Sequence, residues 1–246
     1  MEPQFGCCQL CQYMRIDPRR SELTQPVTFL AGASALACPP TIGPSMPSVQ
    51  IRPYNDADAQ SWLRCRLLSF FPTQYYDDVV IERPNLDEPS IRLVGVIGAD
   101  VVGILDVSIS DDAATIETVA VLPEHARTGT ATRLLHAALP ELRRRKVRTL
   151  DAWTREDPAA NAWYQANGFD ERFDYLHVYK EPDEDNTAFA APEGVRPVRV
   201  FAHAPIELEA HMRARFRRVY VCRQYILDLK GAAPSTADYA QRRRNG

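Results

Sequence analysis

The stretch from Ile116 to Phe169 constrains the fold of this chain more than any other. An apolar run ends at Leu122, and Pro123-Glu124-His125-Ala126-Arg127-Thr128-Gly129-Thr130-Ala131 follows. Ala131, Leu134, Leu135, Ala138, Leu139 and Leu142 then recur at i, i+3, i+4, i+7, i+8 and i+11, one stripe of an α-helix. A strand therefore feeds a helix through a Gly-centred turn. Such a turn is a place to hold phosphate, because unpaired N–H groups converge there with the positive end of the helix dipole. Pro140 lies inside the helical pattern and removes the hydrogen bond to the His136 carbonyl, so a kink is expected.

The flanking sequence supplies the rest of a domain. Val49–Pro53 alternates like a strand, and Asn55 can cap the next helix with Asp56 and Asp58 in its first turn. Leu63, Leu67 and Phe70 are expected to form that helix's core stripe. Ile91–Ile97 and Val101–Ser108 read as a hairpin across Gly98-Ala99-Asp100, and Asp111-Asp112 turns the chain into Thr115–Leu122. Val147–Trp153 is a further strand. Pro158–Ala166 is a helix, with Asp157 as N-cap and Pro158 at its first position. Phe169–Lys180 and Val219–Leu229 are the last strands. The long connection at 181–218 has room for a strand at Val195–Phe201 and a short helix at Ile206–Met212.

Composition narrows the class. With 246 residues, 45% apolar and 25% charged, the chain can bury a sizeable core. A net charge of −3 gives no reason to expect nucleic acid or an anionic membrane as partner. No run approaches the ~20 apolar residues of a membrane span. Cys7, Cys8, Cys11 and Cys38 lack the second ligand pair of a zinc site, so no metal is expected, and Cys65 and Cys222 read as small buried hydrophobes. Residues 1–47, rich in Pro, Gly, Ser and Cys, read as a disordered or misannotated extension, with Met46 as an alternative initiator. Arg19-Arg20 before the apolar run to Cys38 also resembles a twin-Arg lipoprotein signal, although Asp17 and Glu22 oppose it. A reducing, cytoplasmic setting fits the cysteines. Residues 48–230 then form the domain, and 231–246 a flexible tail.

The order strand, helix, three meandering strands, helix, strand, helix, two strands resembles the GCN5-related N-acetyltransferases over residues 49–229. So does Tyr164-x-x-x-Gly168-Phe169, about forty residues after the Gly129 turn. The family's phosphate signature is Gln or Arg, two residues, Gly, one residue, then Gly or Ala. Here it falls on Ala126-Arg127-Thr128-Gly129-Thr130-Ala131, with Ala126 in place of the usual Gln or Arg. The resemblance implies an α/β (α+β) fold, a mixed and mostly antiparallel sheet flanked by helices. It implies acetyl-CoA as co-substrate, with its pyrophosphate on residues 126–131. The pantetheine arm would pair with the strand around Val119, Ala120 and Val121, which requires a splay or bulge between Thr115–Leu122 and Val147–Trp153.

The same resemblance assigns chemistry. Holding an alkylammonium of pKa ~10.4 at pH 7 leaves about 4–5 kcal/mol to find for deprotonation, so a base is useful. Glu117 stands at the family's base position, or is simply an outward strand residue. Tyr164 matches the family's general acid, or packs the last helix. Asp157 falls where the CoA arm is often touched, or only caps. The amine, on a small molecule or peptide, would enter between Phe71–Asp78 and Glu181–Arg218. Tyr75, Tyr76, Asp77 and Asp78 would hold the cation there, or form a solvated turn. The long 181–218 segment would lid the site or make a homodimer contact. A non-catalytic acyl-CoA-binding module is the other reading. A nucleotide-binding protein is disfavoured, since the chain has neither the Lys-Ser/Thr pair of a P-loop nor Gly-x-Gly-x-x-Gly.

Overall fold

A computed structural model describes residues 48–229. The strands are β1 (Gln50–Pro53), β2 (Ser90–Ile97), β3 (Asp100–Ser110), β4 (Ala113–Val121), β5 (Thr149–Thr154), β6 (Asp170–Lys180), β7 (Val200–Ala204) and β8 (Arg218–Asp228). The helices are α1 (Ala59–Phe70), α2 (Thr130–Arg144), α3 (Pro158–Ala166) and α4 (Glu209–Arg215). All eight strands form one sheet in the order β1-β2-β3-β4-β5-β8-β6-β7. Only β4 and β5 run parallel. The mixed, mostly antiparallel α/β architecture expected from the sequence is therefore present. The readings of residues 1–47, of their cysteines and Arg pair, and of the tail at 231–246 lie outside the described residues.

Local chemistry explains the elements. Asn55 caps a 3₁₀ turn at Asp56–Asp58 that runs into α1, and the Asp58 carboxylate accepts from the Asn55 N–H and from both terminal nitrogens of Arg52. Gly98 at φ 61° and Asp111 at φ 54° make the left-handed corners of the β2–β3 and β3–β4 turns. Asp157 caps α3 by accepting the Ala160 N–H at 2.8 Å, with Pro158 at the first helical position. The helix α2 runs continuously through Pro140, which faces solvent. The 181–218 segment contains β7 on the sheet edge and α4.

Helices cover both faces. Leu134, Leu135, Ala138 and Leu142 of α2 pack with Leu105, Val107, Ile116, Leu150, Ala152 and Tyr225 on one face. On the other, Trp62 and Cys65 of α1 pack with Val94, Val96, Val102, Ile104, Ala120 and Leu122. A smaller cluster of Leu176, Val178, Phe216, Val219 and Val221 lies at the C-terminal end of the sheet, with Met212 of α4 against it.

Of the stripe expected on α1, Leu63 and Phe70 pack against the core and Leu67 is corrected. Trp62, Cys65 and Arg66 are the buried residues, while Leu67 is 45% exposed. The helix is turned by about one residue, ~100°. Trp62 offers the largest apolar area and takes the core position. Arg66 comes inside with it, because Asp78 meets its guanidinium at 3.2 Å and the Asp78 carbonyl accepts from it at 2.7 Å. Cys65 and Cys222 are buried and outside any disulfide, as expected, and burial pushes the Cys65 thiol up to about 12.

Candidate active site

The parallel pairing of β4 with β5 stops early. It joins Ala113 to Thr149, Ala114 to Leu150, Thr115 to Asp151 and Ile116 to Ala152, although β4 continues to Val121 and β5 to Thr154. At the same point the β3–β4 register jumps: Asp106 faces Thr118 and Val107 faces Ile116, so Glu117 is the extra residue of a β-bulge. The bulge bends β4 away and opens a gap. This is the splay anticipated between the two strands.

Strand alternation fixes what faces the gap. The Leu122 N–H donates to the Val102 carbonyl at 2.9 Å. Ala120, two residues back, therefore also turns its backbone to β3, and its methyl is buried in the α1 cluster. Val119 and Val121, at the intervening positions, turn their N–H and C=O groups to the open edge. Of the three residues expected along the pantetheine arm, Val119 and Val121 thus present free backbone.

The open edge leads to the start of α2. A 3₁₀ turn at Pro123–His125 is followed by Arg127 at φ 60° and Gly129 at φ 80°, two left-handed residues that flank Thr128. Consecutive N–H groups in such a turn form an anion-binding concavity. A side chain at residue 129 would meet nothing within 4 Å, so the backbone angle and not space calls for glycine there. No side chain caps α2, and Ala126, Arg127, Thr128 and Gly129 are exposed. Thr130 is buried and Ala131 half-buried behind them, with the Thr128 and Thr130 hydroxyls 2.9 Å apart.

Two residues that sequence reasoning missed seat this turn. Gly95 and Gly103 are direct cross-strand partners on β2 and β3. A Cβ at Gly103 would lie 2.7 Å from Thr130 Cγ2 and 3.2 Å from Leu134 Cδ1, and one at Gly95 would lie 3.2 Å from the same Thr130 methyl. The first turn of α2 rests on bare backbone. The available signal was a glycine interrupting each of two adjacent apolar strands, which marks close approach of another element.

The two residues expected to be catalytic differ in exposure. Glu117 is exposed, and its carboxylate accepts from Ser108 Oγ at 2.5 Å. Tyr164 is 4% exposed, stacked on Tyr225 with centroids 5.2 Å apart and edge-on to Phe169 at 5.3 Å. Burial pushes its phenol well above the ordinary tyrosine range, with Tyr75 and Asp151 among the groups acting on it. It is a core residue whose phenol stays protonated. Asp157 is occupied as the α3 cap.

The acceptor-side turn is neither a cation cage nor a solvated loop. Asp77 pairs with Arg218 at 2.8 Å and Asp78 with Arg66. The Tyr75 hydroxyl accepts the Arg155 N–H at 2.8 Å, and Arg218 lies over the Tyr76 ring at 4.9 Å. Arg155, 4% exposed, ties the turn down. Its guanidinium donates to the Gln74 carbonyl at 2.6 Å, to His177 Nδ1 at 3.3 Å and to the Tyr179 hydroxyl, and lies over the Tyr75 ring at 4.3 Å. Residues 71–78 and β8, which carries Arg218, do come together, but through arginines. A recess of about 460 Å³, lined by Glu156, Asn161, Gln165, Glu171, Arg223 and Tyr225, lies between α3 and the β6–β8 strands. Among the described residues no group of three or more His, Cys, Asp or Glu could hold a metal, and no helix is long and apolar enough to cross a membrane.

A bulged strand splayed from its parallel neighbour, ending in an uncapped helix start, defines an acyl-CoA N-acyltransferase fold. Residues 57–169 match the sequence model of the acetyltransferase (GNAT) family. Among solved structures the chain is similar to an N-acetyltransferase from Staphylococcus aureus Mu50, at 15% identity over 74% of this chain and 99% of that one, TM-score 0.49. It is also similar to the ribosomal-protein-S18-alanine N-acetyltransferase from Escherichia coli, at 16% identity over 76% and 97%, TM-score 0.48. A third is yncA from Salmonella typhimurium, solved with its cofactor acetyl-CoA, at 16% identity over 76% and 98%, TM-score 0.46. No curated protein sequence matches the chain.

Proposed function

We propose that the protein is an acetyl-CoA-dependent N-acetyltransferase that moves the acetyl group directly to a primary amine. The observation that carries this reading is the β4–β5 splay, bounded by Glu117 at one end and the open start of α2 at the other. The diphosphate rests on the N–H groups of residues 127–131, and the pantetheine arm pairs with Val119 and Val121. The match of residues 57–169 to the acetyltransferase (GNAT) family model supports acetyl-CoA as the donor. A cytoplasmic setting goes with a cytosolic acetyl donor.

The steps balance without an acyl-enzyme. Glu117, directly or through a water, takes a proton from the ammonium. The neutral nitrogen attacks the thioester carbonyl, and a β4 N–H on the open edge stabilises the oxyanion. The C–N bond forms, the nitrogen gives up its second proton through water to solvent, the C–S bond breaks, and the thiolate leaves. Tyr164 supplies the proton to sulfur and is later reprotonated from solvent. Its raised pKa keeps the phenol protonated near neutrality but makes it a weaker acid, so the transfer must accompany cleavage of the C–S bond.

Saturating acetyl-CoA should raise the melting temperature, since ligand at 100 times Kd adds about 2.7 kcal/mol. An amine panel scored by free thiol should then show turnover. No melting shift at saturation would sink the reading. Glu117→Gln should lower kcat about 100-fold, the scale of a lost general base. Unchanged turnover in Glu117→Gln and Tyr164→Phe would remove both residues from the mechanism.

A further inference from the structure

On the α1 face of the sheet, beside the splay, one carboxylate stands next to an aromatic wall. Glu117 follows Ile116, the last paired residue of β4, and Trp153 follows Ala152, the last paired residue of β5, so the two flank the opening. The other carboxylates of this face are committed. Asp106 meets Arg83 at 2.7 Å, while Asp77 and Asp78 hold Arg218 and Arg66. Asp151 accepts from Thr115 Oγ1 at 2.6 Å, Gln224 Nε2 at 3.0 Å and Trp153 Nε1 at 3.1 Å. Glu117 takes only the Ser108 hydroxyl among the described residues, faces solvent, and has no arginine or lysine at its oxygens.

The wall is preset. The bond from its indole N–H to Asp151 orients Trp153. Phe173 lies edge-on to it with centroids 6.0 Å apart, Tyr175 lies edge-on at 5.5 Å, and His203 meets Tyr175 at 4.7 Å. Register places these rings on one face, since Trp153 and Phe173 both pair with Gln224. Phe173 is 44% exposed, so an apolar ring face is left in water at the β6 end of the wall.

We propose that this face binds a primary ammonium carried on an aromatic or other flat apolar body, with its nitrogen at Glu117 and its body against Trp153 and Phe173. A carboxylate attracts the cation, and rings already held in place take a flat group with little ordering cost. The inference rests on the N-acetyltransferase reading and names its acceptor class. Trp153 and Phe173 set specificity; Asp151 is a positioning residue that acts through the Trp153 ring.

The test uses the full chain saturated with acetyl-CoA, with kcat/KM from thiol release for 2-phenylethylamine, n-butylamine, spermidine and a lysine-containing peptide. The aryl amine should exceed n-butylamine by about tenfold or more, the scale of burying one ring face. Phe173→Ala, at an exposed position that tolerates truncation, and Trp153→Leu should bring that ratio close to one. Equal rates for the two amines, or a ratio unmoved in both variants, would overturn the proposal. So would preference for the peptide or spermidine. A second measurement separates this from the transferase reading: quenching of intrinsic fluorescence by 2-phenylethylammonium without cofactor. A quench lost in Trp153→Leu supports the site even if no amine releases thiol, in which case the transferase reading alone falls. A quench that survives loss of Trp153 overturns the site.

Discussion

The cofactor end and the acceptor end of the candidate site are made of different material. At the start of α2 the contacts come from backbone: left-handed Arg127 and Gly129, an uncapped helix, and the bare strands at Gly95 and Gly103 beneath Thr130. Where β5, β6 and β8 meet, they come from side chains, with Arg155 and Arg218 inserted among Tyr75, Tyr76, Tyr179 and Tyr220. Backbone N–H groups survive most substitutions, so the cofactor end accommodates Ala126 where a Gln or Arg is usual. A buried guanidinium allows no such exchange. Each of its donors must find an acceptor, and losing it strands them all.

That contrast can be broken most severely at Arg155. Arg155→Ala leaves the Gln74 carbonyl, His177 Nδ1 and the Tyr179 hydroxyl without their donor. It should cost about 3–5 kcal/mol in denaturant unfolding, the range for breaking a buried charged network. Acetyl-CoA affinity of the folded fraction, measured by calorimetry, should stay within about twofold. A large affinity loss would mean that the two ends are not separable.

Gly103→Ala probes the other end. The new methyl would press on Thr130 Cγ2, with an overpacking cost of about 1–3 kcal/mol, and should weaken acetyl-CoA binding by displacing the first turn of α2. Adding Thr130→Ser removes that methyl and keeps the hydroxyl beside Thr128, so the double variant should recover both stability and affinity. Failure of the rescue would show that the glycine serves something other than close approach.

The smallest effect is a pH dependence of the acceptor end. The histidine His177 is 5% exposed, and Arg155, which cannot accept, donates to its Nδ1. The ring must be neutral with its proton on Nε2, facing the Tyr175 hydroxyl at 2.9 Å. Burial first, then the Arg155 charge, lowers its pKa to about 3. A depressed folded-state value means that the unfolded chain binds the proton first as pH falls. Stability from this group is complete above about pH 6.5 and is lost between there and about 3, with a slope of up to about 1.4 kcal/mol per pH unit. Denaturant melts at pH 7 and pH 5 should show a smaller decline in His177→Gln than in the parent. Equal declines would assign the acid sensitivity elsewhere.

The legible parts of this chain were those in which period or punctuation encodes geometry. The α2 stripe, the Asp157-Pro158 start of α3, the Gly98 hairpin and the Gly129 turn all stood where spacing placed them. The centre of the α1 stripe did so only in part, with Leu67 outside, because the face is chosen by what Trp62 can bury and by the Arg66 partner supplied twelve residues later, neither of which is periodic. The Gly95–Gly103 pair was visible only as two glycines until strand register put them side by side. The aromatic wall, with Trp153, Phe173, Tyr175 and His203 spread over three strands, left no local trace at all.

By itself the sequence determined the α/β order of elements, the strand-turn-helix proposed to receive an acyl-CoA, and the candidate identities of Glu117 and Tyr164. These depend on neighbours within a turn or two of chain, where hydrophobic period and capping act. Tertiary structure alone decided that Glu117 occupies a bulge open to solvent, that Tyr164 is locked in an aromatic stack, and that Asp77 and Asp78 are spoken for by arginines. Each of those outcomes is set by pairing across the sheet, where the partner that satisfies a charge or fills a gap lies far away in sequence.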